Sequence, residues 1–95
     1  MSTRRSFEWD DSKAQSNLAK HGVSFDYAIR VFLDPWLIDF EVSKPEDREV
    51  RQKAVGVIKG ELVTVVYTPR AGVTRIISAR RSNVTEARRY GPLHA

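Results

Sequence analysis

The 95-residue chain contains no cysteine, so a disulfide framework, a thiolate metal site and a thiol nucleophile are all excluded. It has only two histidines, His21 and His94, far apart and with no ligand-spaced partner. The expectation is therefore no metal and no other cofactor. Its glycines, at positions 22, 56, 60, 72 and 91, form neither a GxGxxG nor a Walker pattern, which argues against nucleotide hydrolysis. Nowhere do about 18 uncharged apolar residues run together as a membrane span requires. The opening MSTRRSFEWDD has no apolar h-region, and the expectation is a cytoplasmic protein without membrane contact. Ser78, in IISAR, lacks the strained elbow that a nucleophilic serine needs.

Basic charge is present, and it is unevenly placed. The net charge is +4, but residues 70–95 alone hold six arginines against one carboxylate, Glu86. Arginine presents a planar fork of donors suited to phosphate, and a one-sided cationic field attracts polyanions. A solvated basic face with no ligand is the plainer alternative. With 41% hydrophobic and 29% charged residues the composition is that of a folded domain rather than a disordered one. We expect one domain over 1–95, with 1–6 a flexible N-terminal extension.

The pattern along the chain predicts α+β. FEWD reads as a short strand. Asp10 stands as N-cap to a helix over about 11–20, stopped by Gly22. Ser24 caps a second helix, closed by Pro35, whose Phe25, Ala28, Ile29, Phe32 and Leu33 form one apolar stripe. WLIDFEV alternates as a half-buried strand with Trp36, Ile38 and Phe40 on one side. REVRQKAVGVI, LVTVVYT and VTRIISAR then read as a meander joined by the glycine-containing turns KGE and PRAG. Gly56 within the first of them suggests a bulge or a weak spot. Asn83 and Glu86 have capping-box spacing for a last helix, VTEARRY. An antiparallel meander covered on one face by the helix pair is the expected architecture.

One reaction suits this inventory. RNA is cleaved without metal when its own 2′-hydroxyl attacks the adjacent phosphate, provided the protein orients the chain, stabilises negative charge and moves protons. Along TRIISARR, strict alternation puts Thr74, Ile76, Ser78 and Arg80 on one face and Arg75, Ile77, Ala79 and Arg81 on the other. Unless a bulge intervenes, Arg75 and Arg80 cannot serve one site. Tyr67 reads as a core or rim aromatic before a catalytic group, Trp9 and Trp36 as core before stacking platforms, and His21 as a helix-end residue before a general base.

FEWDDSKAQSNLAKHGVSFDYAIRVFLDP and RIISARR, followed by a basic helix ending at Tyr90, resemble the opening and the ending of the BrnT family, toxins of bacterial toxin–antitoxin pairs. The resemblance implies a RelE-like α+β fold and an endoribonuclease that stops translation by cutting RNA. It implies a cognate BrnA-like ribbon-helix-helix antitoxin, with operator DNA bound only through the toxin–antitoxin complex. Lys13, His21, Arg75 and Arg80 match its motif positions. Arg80 would stabilise the scissile phosphate. Lys13, His21 or Glu61 would transfer protons. Arg51, Tyr67, Arg70 and Arg81 are added on chemical grounds, Tyr67 to the catalytic set and Arg51, Arg70 and Arg81, with Arg75, as holders of flanking phosphates. A non-catalytic binding module acting with an antitoxin as co-repressor is the alternative.

Overall fold

A computed structural model describes residues 5–91. The order is β1 (Ser6–Glu8), α1 (Asp11–His21), α2 (Phe25–Ala28), a 3-10 segment (Ile29–Leu33), β2 (Ile38–Glu41), β3 (Gln52–Ile58), β4 (Glu61–Arg70), β5 (Val73–Arg81) and α3 (Val84–Tyr90). No helix among the described residues is long and apolar enough to cross a membrane. Residues 1–4 of the expected N-terminal extension lie outside the described residues. Arg5 and Ser6 do not belong to an extension, because Ser6 pairs with Val73 and Arg5 Nη1 donates to Thr74 Oγ1 at 3.2 Å.

The five strands form one sheet in the order β1-β5-β4-β3-β2. The last four make the expected antiparallel meander, but β1 adds parallel to β5, so the sheet is mixed. Two-residue turns set the meander's register. Lys59 and Gly60 have φ of 50° and 82°, Ala71 and Gly72 of 50° and 80°, the positive values that type I′ hairpins require.

On one face of the sheet, Ala54, Ile58, Val63, Val65, Ile76 and Ala79 pack against Val23, Phe25, Ala28 and Val31. The caps on this side are those the sequence indicates. Asp10 accepts from Lys13 N, Ser24 from Tyr27 N, and Gly22 closes α1 in the left-handed region at φ 70°. The second helix is shorter than its apolar stripe predicts, tightening to 3-10 geometry after Ala28. That last turn passes directly over Gly56, where an added Cβ would lie 3.0 Å from the Val31 carbonyl oxygen and 3.2 Å from Leu37. Gly56 therefore marks a close approach, and not the suggested bulge.

Trp36 is not in the core, being 60% exposed. Its backbone N–H donates to Asp34 Oδ1 in the turn after the 3-10 segment, β2 pairing begins only at Ile38, and Leu37 packs on the core in its place. Trp9 does pack on the core, edge-on to Phe25 at 5.8 Å.

The bulge occurs between β4 and β5. From Arg70↔Val73 to Tyr67↔Ile76 the strands run in one register, and from Val66↔Ser78 to Val63↔Arg81 in another, which leaves Ile77 unmatched. One extra residue reverses the facing of everything beyond it. Thr74 and Ile76 now share the helix-covered face with Ala79 and Arg81, while Arg75, Ser78 and Arg80 share the opposite face.

Candidate basic face

That opposite face carries Lys53 and Val55 of β3, Thr64, Val66 and Thr68 of β4, and Arg75, Ser78 and Arg80 of β5, as the pairings Val55↔Thr64, Lys53↔Val66, Thr64↔Arg80 and Thr68↔Arg75 require. The expectation that Arg75 and Arg80 point apart is corrected by the bulge. α3 lies over one end of this face. The Arg89 guanidinium sits 3.7 Å from the Phe40 ring centroid, and the buried Tyr90 donates its hydroxyl to Asp34 Oδ2 at 2.6 Å.

The centre of the arrangement is Glu86, whose side chain is 3% exposed. Arg80 grips it bidentately, Nη1 to Oε1 at 2.7 Å and Nη2 to Oε2 at 2.6 Å. Lys53 Nζ donates to Oε2 at 2.8 Å, Thr64 Oγ1 to Oε1 at 3.0 Å, and the Asn83 N–H to Oε1 at 2.8 Å. Burial pushes this carboxyl up, but the bonds from Arg80, Lys53, Asn83 and Thr64 outweigh it and hold the group well below the usual carboxylate range. Glu86 is consequently an anion at any physiological pH and not a proton donor. Its bidentate contact in turn raises the Arg80 pKa, against the effect of burial.

Farther along the same face the ion pairs are looser. Arg75 Nη1 meets Glu8 Oε2 at 2.8 Å, and Arg70 meets Glu49 through Nε at 2.9 Å and Nη2 at 2.6 Å, with all four side chains between 30% and 48% exposed. Pairs open to solvent contribute little, because water and salt screen them and holding two long side chains in one geometry costs entropy. The hydrogen bond from Arg70 outweighs desolvation and, with smaller contributions from the charges of Arg70, Arg51 and Arg75, lowers the Glu49 pKa. Arg51, Lys53, Lys44, Asp47, Val42 and Val66 line a hollow of about 330 Å³. Within it Arg51 Nε is enclosed without a hydrogen-bond acceptor, its nearest carboxylate oxygen, on Asp47, being 4.0 Å away.

The structure thus puts Arg70, Arg75 and Arg80 along one face of the sheet, with Arg51 beside Lys53 in the hollow, and Tyr67, Glu61, Arg81, Lys13 and His21 elsewhere. Tyr67 lies on the helix side of the sheet, 4% exposed, stacked edge-on against Phe32 and donating to Asp39 Oδ2 at 2.6 Å. Glu61 and Arg81 pair at 3.0 Å on the helix side, where both line a hollow with Leu18 and Tyr27. Lys13 and His21 belong to α1, which packs against β5 on that same side. Lys53, Thr64 and Glu86 were not singled out from the sequence. Glu86 was legible only as the third residue of a capping box, which it also is. Among the described residues no group of three or more His, Cys, Asp or Glu is placed to hold a metal ion.

The two buried tyrosines fix a pH prediction. Burial first, then the hydrogen bond to Asp39, pushes Tyr67 up to about 12, and burial with the bond to Asp34 does the same for Tyr90. A folded-state pKa above the unfolded value of about 10 means that the stabilisation is complete below pH 10 and is lost as pH rises through 12. Tyrosinate absorbance attributable to these two, isolated by Tyr67→Phe and Tyr90→Phe, is expected to appear near pH 12 together with loss of the β-sheet circular dichroism signal. Ionisation near pH 10 in a still-folded protein would contradict both contacts.

No individually curated protein matches the chain. A family model described as the ribonuclease toxin BrnT, of type II toxin–antitoxin systems, matches residues 9–86. That stretch runs from the turn before α1, through the whole β2–β5 meander, to the carboxylate that holds Arg80, and the chain belongs to this family of ribonuclease toxins.

Proposed function

We propose that this toxin cleaves RNA without a metal ion on the sheet face that carries Arg75 and Arg80, the observation that carries the reading being the β4–β5 bulge that turns both arginines to one side. The 2′-hydroxyl of the substrate attacks the adjacent phosphorus, the bond to the 5′-oxygen breaks, and a 2′,3′-cyclic phosphate and a 5′-hydroxyl result. Arg80, fixed by Glu86, stabilises the extra negative charge of the phosphorane. Arg75 and Arg70 exchange their carboxylates for flanking phosphates, and Arg51, whose side chain is 37% exposed, meets one more. Lys53 replaces Lys13, His21, Glu61 and Tyr67 as the proton-carrying group nearest this face.

The finer fold reading is RelE-like, supported by the meander with a helix pair on one side and a short terminal helix on the other. The antitoxin is of BrnA type, with operator DNA contacted only through the complex, and both partners act in the cytoplasm. A co-repressor without catalysis is favoured by one observation, that Arg70, Arg75, Arg80 and Arg81 are each already paired with a carboxylate of the chain.

Defined RNA incubated with antitoxin-free protein in excess chelator separates these readings. Cleavage leaving cyclic phosphate ends is expected, with Arg75→Ala about 10-fold slower and Arg81→Ala, on the other face, unchanged. Cleavage abolished by chelator and restored by a divalent cation would overturn the metal-free mechanism. Equal loss in both variants would overturn the choice of face. RNA left intact even with translating ribosomes, while antitoxin binding persists, would favour the co-repressor.

A further inference from the structure

A carboxylate at the centre of a surface meant for RNA is electrostatically unfavourable, because it cancels one of the charges that attract the backbone. Glu86 nevertheless accepts five hydrogen bonds there. The helix cap does not explain them. A capping box needs only one side-chain oxygen to meet the Asn83 N–H, which glutamine provides as well as glutamate. The carboxylate is required by Arg80 and Lys53, which share its Oε2 at 2.6 and 2.8 Å.

We propose that Glu86 is a positioning residue for RNA cleavage, holding Arg80 and Lys53 side by side as one two-cation unit that receives a single phosphate. The proposal rests on the placement of RNA on this face. Both cations keep donors for a ligand. Lys53 uses one of its three N–H groups on Glu86, and Arg80 has its Nε–H and one Nη2–H beyond the contacts to Glu86 and the Arg81 carbonyl. They are 21% and 29% exposed, against 3% for Glu86, so a phosphate arriving from solvent meets the cations and not the anion behind them. Lys53 also lines the hollow that holds Arg51 and Lys44, which links the fixed pair to the open part of the face. Orientation is gained at the expense of one unit of attraction.

This trade gives a signature that loss of structure does not. In Glu86→Gln the cap is retained, the net charge of the face rises by one, and Arg80 and Lys53 lose their common anchor. The toxin is compared with this variant for affinity to a non-cleavable 2′-O-methyl RNA across a salt series, for single-turnover cleavage of the matching RNA, and for thermal unfolding. Asp11→Asn, in the first turn of α1 on the helix side, controls for net charge alone. The expected result is tighter binding by about 3- to 10-fold, a salt slope steeper by about 0.7, and cleavage slower by about 100-fold. Asp11→Asn should change none of these by more than about twofold.

Binding and cleavage falling together, or cleavage unchanged, would overturn the proposal. If Glu86→Gln does not fold, Thr64→Val decides. It removes the hydroxyl that donates to Glu86 Oε1 and also meets Ser82 Oγ, and leaves every charge in place. Cleavage should slow about 5-fold with binding and salt slope unchanged, and full-rate cleavage would overturn the proposal. A wild type that binds the analogue but never cleaves would overturn the catalytic reading together with it, whereas wild-type cleavage with unaltered variants overturns the role of Glu86 alone.

Discussion

Replacing Arg80 by alanine is expected to slow RNA cleavage by about 10²–10³-fold and to abolish growth arrest when the toxin is produced without its antitoxin. Arg80 is the one arginine of the face whose guanidinium is fixed by a nearly buried carboxylate, through bonds of 2.7 and 2.6 Å. It therefore needs little reorganisation when charge develops on the phosphate. The substitution also has a structural cost, because Glu86 loses two of its five bonds. Lys53, Thr64 and Asn83 still hold it, so the loss should be about 1–3 kcal/mol, or about 5–15 °C of melting temperature for a domain of this size. Most molecules stay folded at 25 °C. Arg80→Lys keeps the charge without the fork and is expected to fall between wild type and alanine in rate. Folded Arg80→Ala protein that cleaves at the wild-type rate would remove Arg80 from the site.

Arg75→Ala provides the contrast. Its partner Glu8 belongs to the edge strand β1 and is 39% exposed, against 3% for Glu86, so Arg75 is held by a far less enclosed carboxylate than Arg80. Removing it costs little stability and a flanking phosphate contact only. The ratio of the two effects therefore measures how far rate depends on a fixed cation rather than on charge in general.

The fold was largely legible because its signals are local. Asp10, Gly22, Ser24 and the Asn83–Glu86 box each act within one turn of chain, and each cap forms where the spacing puts it. The two I′ turns are equally local. The pairing of β1 was not legible, since three residues carry no period and a parallel partner 67 positions away leaves no pattern. Nor was the bulge, because VTRIISARR breaks alternation three times, at Thr74–Arg75, Ile76–Ile77 and Arg80–Arg81, and only the pairing with β4 shows that Ile77 is the extra residue. Its cause lies in two distant constraints. The Ala71–Gly72 turn fixes the β4–β5 register from one end, and the contacts of Ala79 with α1 fix β5 from the other. The one-residue mismatch is absorbed between them. The facing of Arg75 relative to Arg80 was not legible for the same reason. Counting from one to the other crosses that mismatch, and Lys53 and Glu86 come beside Arg80 only once β3 and α3 are brought to β5.

Asn17 ties α1 to β5 through side-chain hydrogen bonds, and Asn17→Ala is expected to be as destabilising as truncation of a large core side chain on the helix side. Its Nδ2 donates to the carbonyl oxygens of Val23 at 3.0 Å and Ala79 at 2.7 Å, and its Oδ1 accepts from the Ala79 N–H at 3.1 Å. Three buried backbone groups lose their partners together, and at about 1–3 kcal/mol each, with partial relaxation, the loss is about 3–5 kcal/mol. That equals much of the 5–15 kcal/mol that holds a small domain together, and the melting temperature should fall by about 15 °C or more. Asn17→Asp tests the geometry through pH. An ionised carboxylate would still accept from Ala79 N–H but would set its other oxygen against two carbonyls, so the fold favours the protonated acid, which can donate. Such a carboxyl has its folded-state pKa raised above the unfolded value of about 3.9. Its favourable contribution is therefore complete below that value and is lost as pH rises through the folded one. The stability deficit of Asn17→Asp against wild type should be smallest near pH 4 and widen toward pH 7, whereas that of Asn17→Ala should not change. A deficit independent of pH in both would mean that Asn17 does not donate to these carbonyls, and that the register of β5, with the facing of Arg80, is set elsewhere.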